Sequence, residues 1–260
     1  MLTLENSFLL NNPSVVVVGC GGTGAFVAEG LLRLFTGRGA RFLLVDHDRV
    51  ERHNLLRQQF YREDLGRFKS QALAERLANQ YNREVSYSVY PYTGRLLESR
   101  VMGSGFYEPA NLLIGCVDNA AARRAINDPG FSITSTWVVD AGNDTSFGQV
   151  LVGNSDDVAF LSEDRWLRLP SPLRQRPDLL TAAPTAPVDV DCAAALDLVD
   201  QDPTINHMMA SLVLQMVRRL VAGTCPWMGL YLDLEQGTVV PNYATEEAVA
   251  RICPVERYRR

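Results

Sequence analysis

The chain has 260 residues, 47% of them apolar and 21% charged, with a formal net charge of −5. That is enough chain for one large α/β unit, and the mixture excludes a disordered or fibrous protein. The acidic balance offers no basic field to a polyanion, so neither nucleic acid nor an acidic membrane surface is expected as a partner.

Val15 to Val18 is a β-branched run ending at Gly19, the pattern of a strand buried on both faces in a parallel sheet. A glycine-rich turn follows, and from Ala25 to Leu34 the apolar residues recur at helical spacing until Gly37 and Gly39 break the chain. Arg41 to Val45 is a second strand, closing a βαβ unit. Asp64 stands where a helix N-cap would, ahead of a stripe of Phe68, Ala72, Leu73 and Leu77 that runs to about Ala78. Val85–Tyr90 and Asn111–Val117 read as strands, and Ala120–Ile126 as a helix. Val138–Asp140 and Gly148–Val152 read as two more strands joined across Gly142-Asn143.

Between Ser155 and Pro203 the periodicity fails and six prolines punctuate the chain, which predicts a long exposed loop with local helix around Ala193–Val199. Thr204–Ala222 is an amphipathic helix with Met208, Met209, Leu212, Met216, Leu220 and Val221 on one side and Gly223 as its stop. A hairpin over Gly229–Val240 and an arginine-rich tail follow. The expected organisation is therefore a single unit: a nucleotide-binding half over 1–150, an irregular crossover over 151–203, and a helix, hairpin and tail over 204–260. Its fold class is α/β, a Rossmann-like, mostly parallel twisted sheet with helices on both faces, extended by a mixed-strand second half.

No run approaches the roughly 18 consecutive apolar residues of a membrane helix, and no basic residue precedes the first apolar run, so a cytoplasmic location is expected. The five cysteines, Cys20, Cys116, Cys192, Cys225 and Cys253, are widely spaced and form no CxxC pair. They read as reduced thiols, with Cys20 and Cys116 as buried core residues and no zinc site. His47 and His53 read as solvent-facing loop residues.

Gly19-Cys20-Gly21-Gly22-Thr23-Gly24 places GxGxxG directly after a strand and at the start of a helix, where free backbone amides and a partial positive charge face a phosphate. Asp46 ends the next strand, where a carboxylate accepts from ribose hydroxyls. Alone, this is a dinucleotide fingerprint and favours an NAD-dependent oxidoreductase. The following block, Asp46-x-Asp48-x-Val50, Asn54-Leu55-x-Arg57-Gln58 and Asp64-x-Gly66 with Lys69, goes beyond what a dehydrogenase needs. A triphosphate does need it, because cations and a metal must match its charge. Asp118, at the end of a strand, can hold Mg²⁺ through water, with Asn119 beside it.

The combination of GxGGxG, D-x-D-x-V-x3-N-L-x-R-Q, D-x-G-x2-K and Cys116-Val117-Asp118-Asn119 resembles the ThiF/MoeB and ubiquitin-activating-enzyme adenylation family, over about Val15 to Gln149. The resemblance implies an adenylyltransferase that joins ATP to the C-terminal glycine carboxylate of a ubiquitin-like or sulfur-carrier protein of β-grasp fold. It assigns Asp46 to the ribose, Asn54, Arg57 and Lys69 to the phosphates, and Asp118 to magnesium. Gln58 would sit beside the phosphates, and Gly21 would form the nucleotide-proximal turn. The wider nucleotide-binding set is Gly19, Gly21, Gly22, Gly24, Asp46, Asp48, Asn54, Arg57, Gln58, Lys69, Asp118 and Asn119, with Arg57, Lys69 and Asp118 carrying the reaction.

The family resemblance also implies a homodimer. The chain departs from the family in two ways: its first basic residue is Arg33, so the N-terminal arginine of many relatives is missing, and their paired zinc-binding CxxC motifs are absent. Several relatives pass the activated carboxylate to a loop cysteine, and Cys192 occupies the long irregular segment. Its neighbours Asp189 and Asp191 would raise a thiol pKa. The compact second half is similar to bacterial ThiF-like proteins encoded beside conjugating-enzyme-like genes, including the PRTRC clusters. That likeness implies a conjugating-enzyme-like partner. Competing readings are adenylation of a small-molecule or tRNA-linked carboxylate, the NAD-dependent oxidoreductase, and a catalytically silent partner subunit.

Overall fold

A computed structural model describes residues 2–10, 12–93, 112–127, 136–156, 158–162, 165–181 and 204–253. In chain order the elements are β1 (Thr3–Leu4), β2 (Ser14–Val18), α1 (Gly22–Leu34), β3 (Arg41–Val45), α2 (Lys69–Tyr81), β4 (Ser86–Ser88), β5 (Leu112–Gly115), α3 (Ala120–Ile126), β6 (Trp137–Asn143) and β7 (Phe147–Gly153). There follow β8 (Ala159–Ser162), β9 (Arg165–Arg168), α4 (Pro172–Gln175), α5 (Ile205–Val221), β10 (Trp227–Asp233), β11 (Thr238–Tyr243) and α6 (Glu246–Ala250).

The main sheet has eight strands in the order β11-β10-β7-β6-β5-β2-β3-β4. From β6 to β4 all neighbours are parallel, whereas β6/β7, β7/β10 and β10/β11 are antiparallel. The valine run becomes β2 because both faces of the sheet are covered. Val15 and Val17 point to a large core shared with Leu31, Leu73 and Val213, while Val16 and Val18 point to a smaller one with Ile126 and Tyr92. Strand periodicity of two sends alternate valines to opposite layers, and each layer needs apolar residues. The expected α/β class, mostly parallel sheet and two helical layers are all present. The connection from β2 goes to β3 on one side and the chain later returns to β5 on the other, so a crevice opens at the carboxyl ends of β2 and β5, where open α/β sheets bind ligands.

Several boundaries differ from the sequence reading. Asp64 does not cap α2: it closes a one-turn 3-10 helix over Arg62–Asp64 and accepts from the Tyr61 amide at 3.1 Å, and Gly66 at φ +80° then redirects the chain. Helix α2 begins only at Lys69. Gly142 and Asn143 lie inside β6, and the turn sits further on, where the Asp144 amide donates to the Phe147 carbonyl at 2.8 Å. The segment read as an exposed loop from Ser155 carries β8, β9, α4 and a 3-10 turn over Pro177–Leu180. Trp166 and Leu169 there are fully buried.

This second, three-stranded sheet, β1-β9-β8, was invisible to periodicity because its strands are short and one of its pairings is to a strand over 150 residues away at the N-terminus. The expected helix around Ala193–Val199, the arginine-rich tail beyond 253 and Cys192 lie outside the described residues. On α5, Met209, Met216, Leu220 and Val221 are buried as expected, but Met208 is exposed and Leu212 half-buried. No helix among the described residues is long and apolar enough to cross a membrane.

Candidate functional site

The carboxyl ends of β2, β3 and β5 bring the glycine loop, the Asp46–Asp48 turn and the Cys116–Asp118 segment side by side. The backbone there leaves little choice of residue. Gly19 sits at φ +88°, and a Cβ on it would lie 2.3 Å from the Cys116 carbonyl oxygen. A Cβ on Gly24 would lie 1.8 Å from the Gly19 carbonyl oxygen. Gly21 is different: a methyl there meets only the Gln58 amide, at 3.7–3.9 Å. A Cβ at 21 would rest in ordinary contact with Gln58, so the gap between the loop and Gln58 takes a methyl without a clash. Helix α1 starts after Gly21 with no side-chain cap, leaving its first amides facing that space.

Asp46 is fixed against the loop. One carboxylate oxygen accepts from the Cys20 amide at 2.7 Å and the other from the Asp48 amide at 2.8 Å. Burial raises its pKa, opposed by those two amides and by Lys69. Each oxygen retains a lone pair for a further donor.

Lys69, only 8% exposed, starts α2 with its amide on the Asp48 carbonyl at 2.8 Å and its Nζ on Asp48 Oδ2 at 3.1 Å. Ser70 locks this helix start in place, its hydroxyl oxygen lying 2.7 Å from the Asp46 carbonyl oxygen and 2.9 Å from that of Ser88. Asp48, expected among the nucleotide ligands, also serves as the counter-ion of Lys69.

Arg57 and Gln58 are half-buried at the end of a 3-10 turn over Arg52–Leu56. Asn54 sits inside that turn, 2% exposed, with its Oδ1 accepting from the Glu51 amide at 2.9 Å. Its backbone carbonyl accepts from the Gln58 amide at 2.8 Å and the Arg57 amide at 3.3 Å, shaping the loop that presents both residues. Asn119 spends its Oδ1 on the Ala122 amide at 2.8 Å, as the N-cap of α3. Asp118 is exposed two residues beyond Cys116, within 3.5 Å of Asn119 Nδ2. Among the described residues one group of three candidate metal ligands lies within 4.8 Å, namely Asp46, His47 and Asp48. The backbone amides on Asp46 and Lys69 on Asp48 already engage two of its members.

Cys20 and Cys116 are free thiols. Cys20 is buried as expected, whereas Cys116 is half-buried and packs against the core; desolvation raises the pKa of both, that of Cys116 to about 12. His47 and His53 are exposed.

Sequence reasoning missed a buried ion pair beside the site: Arg123 Nε lies 3.2 Å from Asp140 Oδ2, and Arg123 Nη2 donates to the Val117 carbonyl at 2.7 Å. This pair ties α3 to β6 and holds the backbone just ahead of Asp118. It also missed a polar group formed by Thr23, Asn143 and Asn206 at the start of α1. No local pattern could link those three positions.

Comparison with known proteins agrees with this architecture. The ubiquitin-like modifier-activating enzyme 5 of Dictyostelium discoideum is 34% identical over 137 residues, covering 50% of this chain and 35% of that protein. The protein of the same name from Rattus norvegicus is 35% identical over 133 residues, covering 48% of this chain and 32% of its own length. The chain thus spans about a third of the length of these curated relatives. Among solved structures, E. coli MccB with ATP superposes with a TM-score of 0.63 at 16% identity, covering 94% of this chain and 67% of that one. PaaA gives a TM-score of 0.58 at 18% identity, covering 90% and 64%. At those identities the structural likeness speaks for the fold. A family model described as the ThiF family matches residues 5–232, and the chain belongs to that family.

Proposed function

We propose that this chain binds ATP with Mg²⁺ and adenylates the C-terminal glycine carboxylate of a ubiquitin-like or sulfur-carrier protein. The observation that carries the reading is the convergence, at the carboxyl ends of the strands, of the glycine loop with its uncapped helix start, Asp46, the Lys69–Asp48 pair, and Gln58 across from Gly21. Membership of the ThiF family, relatives named as ubiquitin-like modifier-activating enzymes and a structural neighbour crystallised with ATP support it.

In this reading Asp46 accepts from the ribose hydroxyls with the lone pairs its backbone donors leave. The first amides of α1, Lys69, Arg57 and Gln58 hold the phosphates. Asp118 fits magnesium, because one exposed carboxylate beside a phosphate site is the usual protein share of a Mg²⁺ shell. Bound there, the ion neutralises charge on the phosphate oxygens. The partner's carboxylate is already ionised at neutral pH and needs no base. One of its oxygens bonds to the α-phosphorus as the bond from that phosphorus to the bridging oxygen breaks, and pyrophosphate leaves with the electron pair. Lys69 and Arg57 stabilise the charge that builds on the leaving group. Onward transfer to Cys192, a conjugating-enzyme-like acceptor, homodimer assembly and a cytoplasmic location belong to the same proposal.

ATP–pyrophosphate exchange with β-grasp proteins ending in glycine tests it. Lys69→Ala and Arg57→Ala are each expected to lower exchange at least about 100-fold with the fold intact. Normal exchange in both variants would remove these residues from the reaction, and silence of the parent chain with every such protein would remove the activity.

A further inference from the structure

Helix α5 buries an apolar face, including Ile205, Met209, Val213 and Met216, with one amide in its first turn: Asn206, 5% exposed. That amide lies over the glycine loop, where a Cβ on Gly22 would fall 2.4 Å from Asn206 Nδ2. Its Oδ1 accepts from the Thr23 hydroxyl at 3.2 Å, and its Nδ2 donates to the Arg57 carbonyl at 3.5 Å, the long end of the hydrogen-bonding range. Asn143 approaches the same hydroxyl from β6, with its Oδ1 at 3.3 Å. An Asn in this place is costly unless both ends of its amide are paired, and packing of α5 on α1 alone would be served by an apolar residue. Both of its ends are paired, one to the first turn of α1 and the other to the loop whose next residue, Gln58, faces Gly21.

We propose that Asn206 is a positioning residue of the nucleotide site. It ties the backbone of Arg57 to the first turn of α1, so that the guanidinium and the helix amides address one phosphate chain. The inference rests on the ATP-binding reading above. Asn206 touches no ligand in this role; it acts through Arg57.

The test is displacement of trinitrophenyl-ATP by ATP and by adenosine, in the presence of Mg²⁺. Asn206→Ala is expected to weaken ATP about tenfold and leave adenosine within about twofold, because the phosphate contacts alone are displaced. Combining it with Arg57→Ala should add almost nothing, since both changes remove one interaction. Asn206→Asp keeps the acceptor for Thr23 but sets an oxygen against the Arg57 carbonyl, and should weaken ATP as much as Ala does. Should Asn206→Ala fail to fold, Thr23→Ala, which frees the other end of the amide, is expected to show the same selective loss. Equal losses of ATP and adenosine, full additivity with Arg57→Ala, or unchanged ATP affinity would each overturn the positioning role. A parent chain that binds neither ATP nor adenosine would instead overturn the nucleotide reading on which it rests.

Discussion

At Gly21 and Gly24 the same residue type answers two different demands. Gly24 is required by the protein itself, since its Cα faces the Gly19 carbonyl too closely for any side chain. Gly21 has room for a methyl, and the nearest protein atoms belong to the Gln58 amide at ordinary contact distance. Gly24→Ala is therefore expected to destabilise the chain by about 3 kcal/mol, as overpacking against a rigid backbone does. Gly21→Ala should cost only about 1 kcal/mol, the usual penalty of alanine at a helix N-cap, yet weaken ATP at least about tenfold by keeping the phosphates off the loop backbone. Thermal melts and ATP titrations of the two variants check this. A Gly21→Ala protein with full ATP affinity would mean that the phosphates do not approach the loop at Gly21.

The elements around the site are held by polar ties as well as by the apolar core. Glu29 on α1 accepts from Arg33 at 2.8 Å, from Gln59 at 2.8 Å and from the hydroxyl of Tyr81, the last residue of α2, at 2.9 Å. It thus joins two helices to the loop beyond Arg57. Chiefly through the Arg33 hydrogen bond, then those of Gln59 and Tyr81 against the opposing effect of burial, its pKa falls from 4.5 to about 2.

The folded state therefore favours the ionised carboxylate. Its stabilising contribution is complete above pH 4.5 and is lost as the pH falls towards 2. With one-fifth of the side chain still in solvent, the contribution is about 1–2 kcal/mol. Denaturant unfolding at pH 6 and pH 3 should show a larger acid loss in the parent chain than in Glu29→Gln, by about that amount. Equal losses would show that Glu29 does not couple the two helices.

At the scale of the molecule, the N-terminal strand fastens the small sheet to the main core. Leu4 is fully buried, β1 pairs with β9, the Trp137 indole donates to the Glu5 carbonyl at 2.7 Å, and Asn6 Nδ2 donates to the Val221 carbonyl at 3.0 Å. Because Leu4, Trp137 and Trp166 share one apolar cluster with α1 and α5, the two sheets should unfold together. Leu4→Ala is expected to cost about 3 kcal/mol, with tryptophan fluorescence and far-UV circular dichroism still tracing one coincident transition. Separate transitions would make the small sheet an independent unit.

The sequence by itself determined the βαβ core, the glycine loop and the family. Those depend on contiguous signals: a buried β-branched strand, a turn that only glycines can make, and cations at fixed spacing after it. Even there, position in a motif did not reveal which protein contacts each side chain makes. Buried Asn54 and exposed Asn119 cap their own turns, and Asp48 pairs with Lys69. Only the tertiary structure decided what distant segments do when brought together. β9 finds its partner at the N-terminus, Arg123 meets Asp140 in the core, and Asn206 reaches Thr23 and Arg57. The physical reason is that a buried polar group or a short strand is stable only with its partner in place, and such partners are chosen by proximity in space, which local periodicity does not encode.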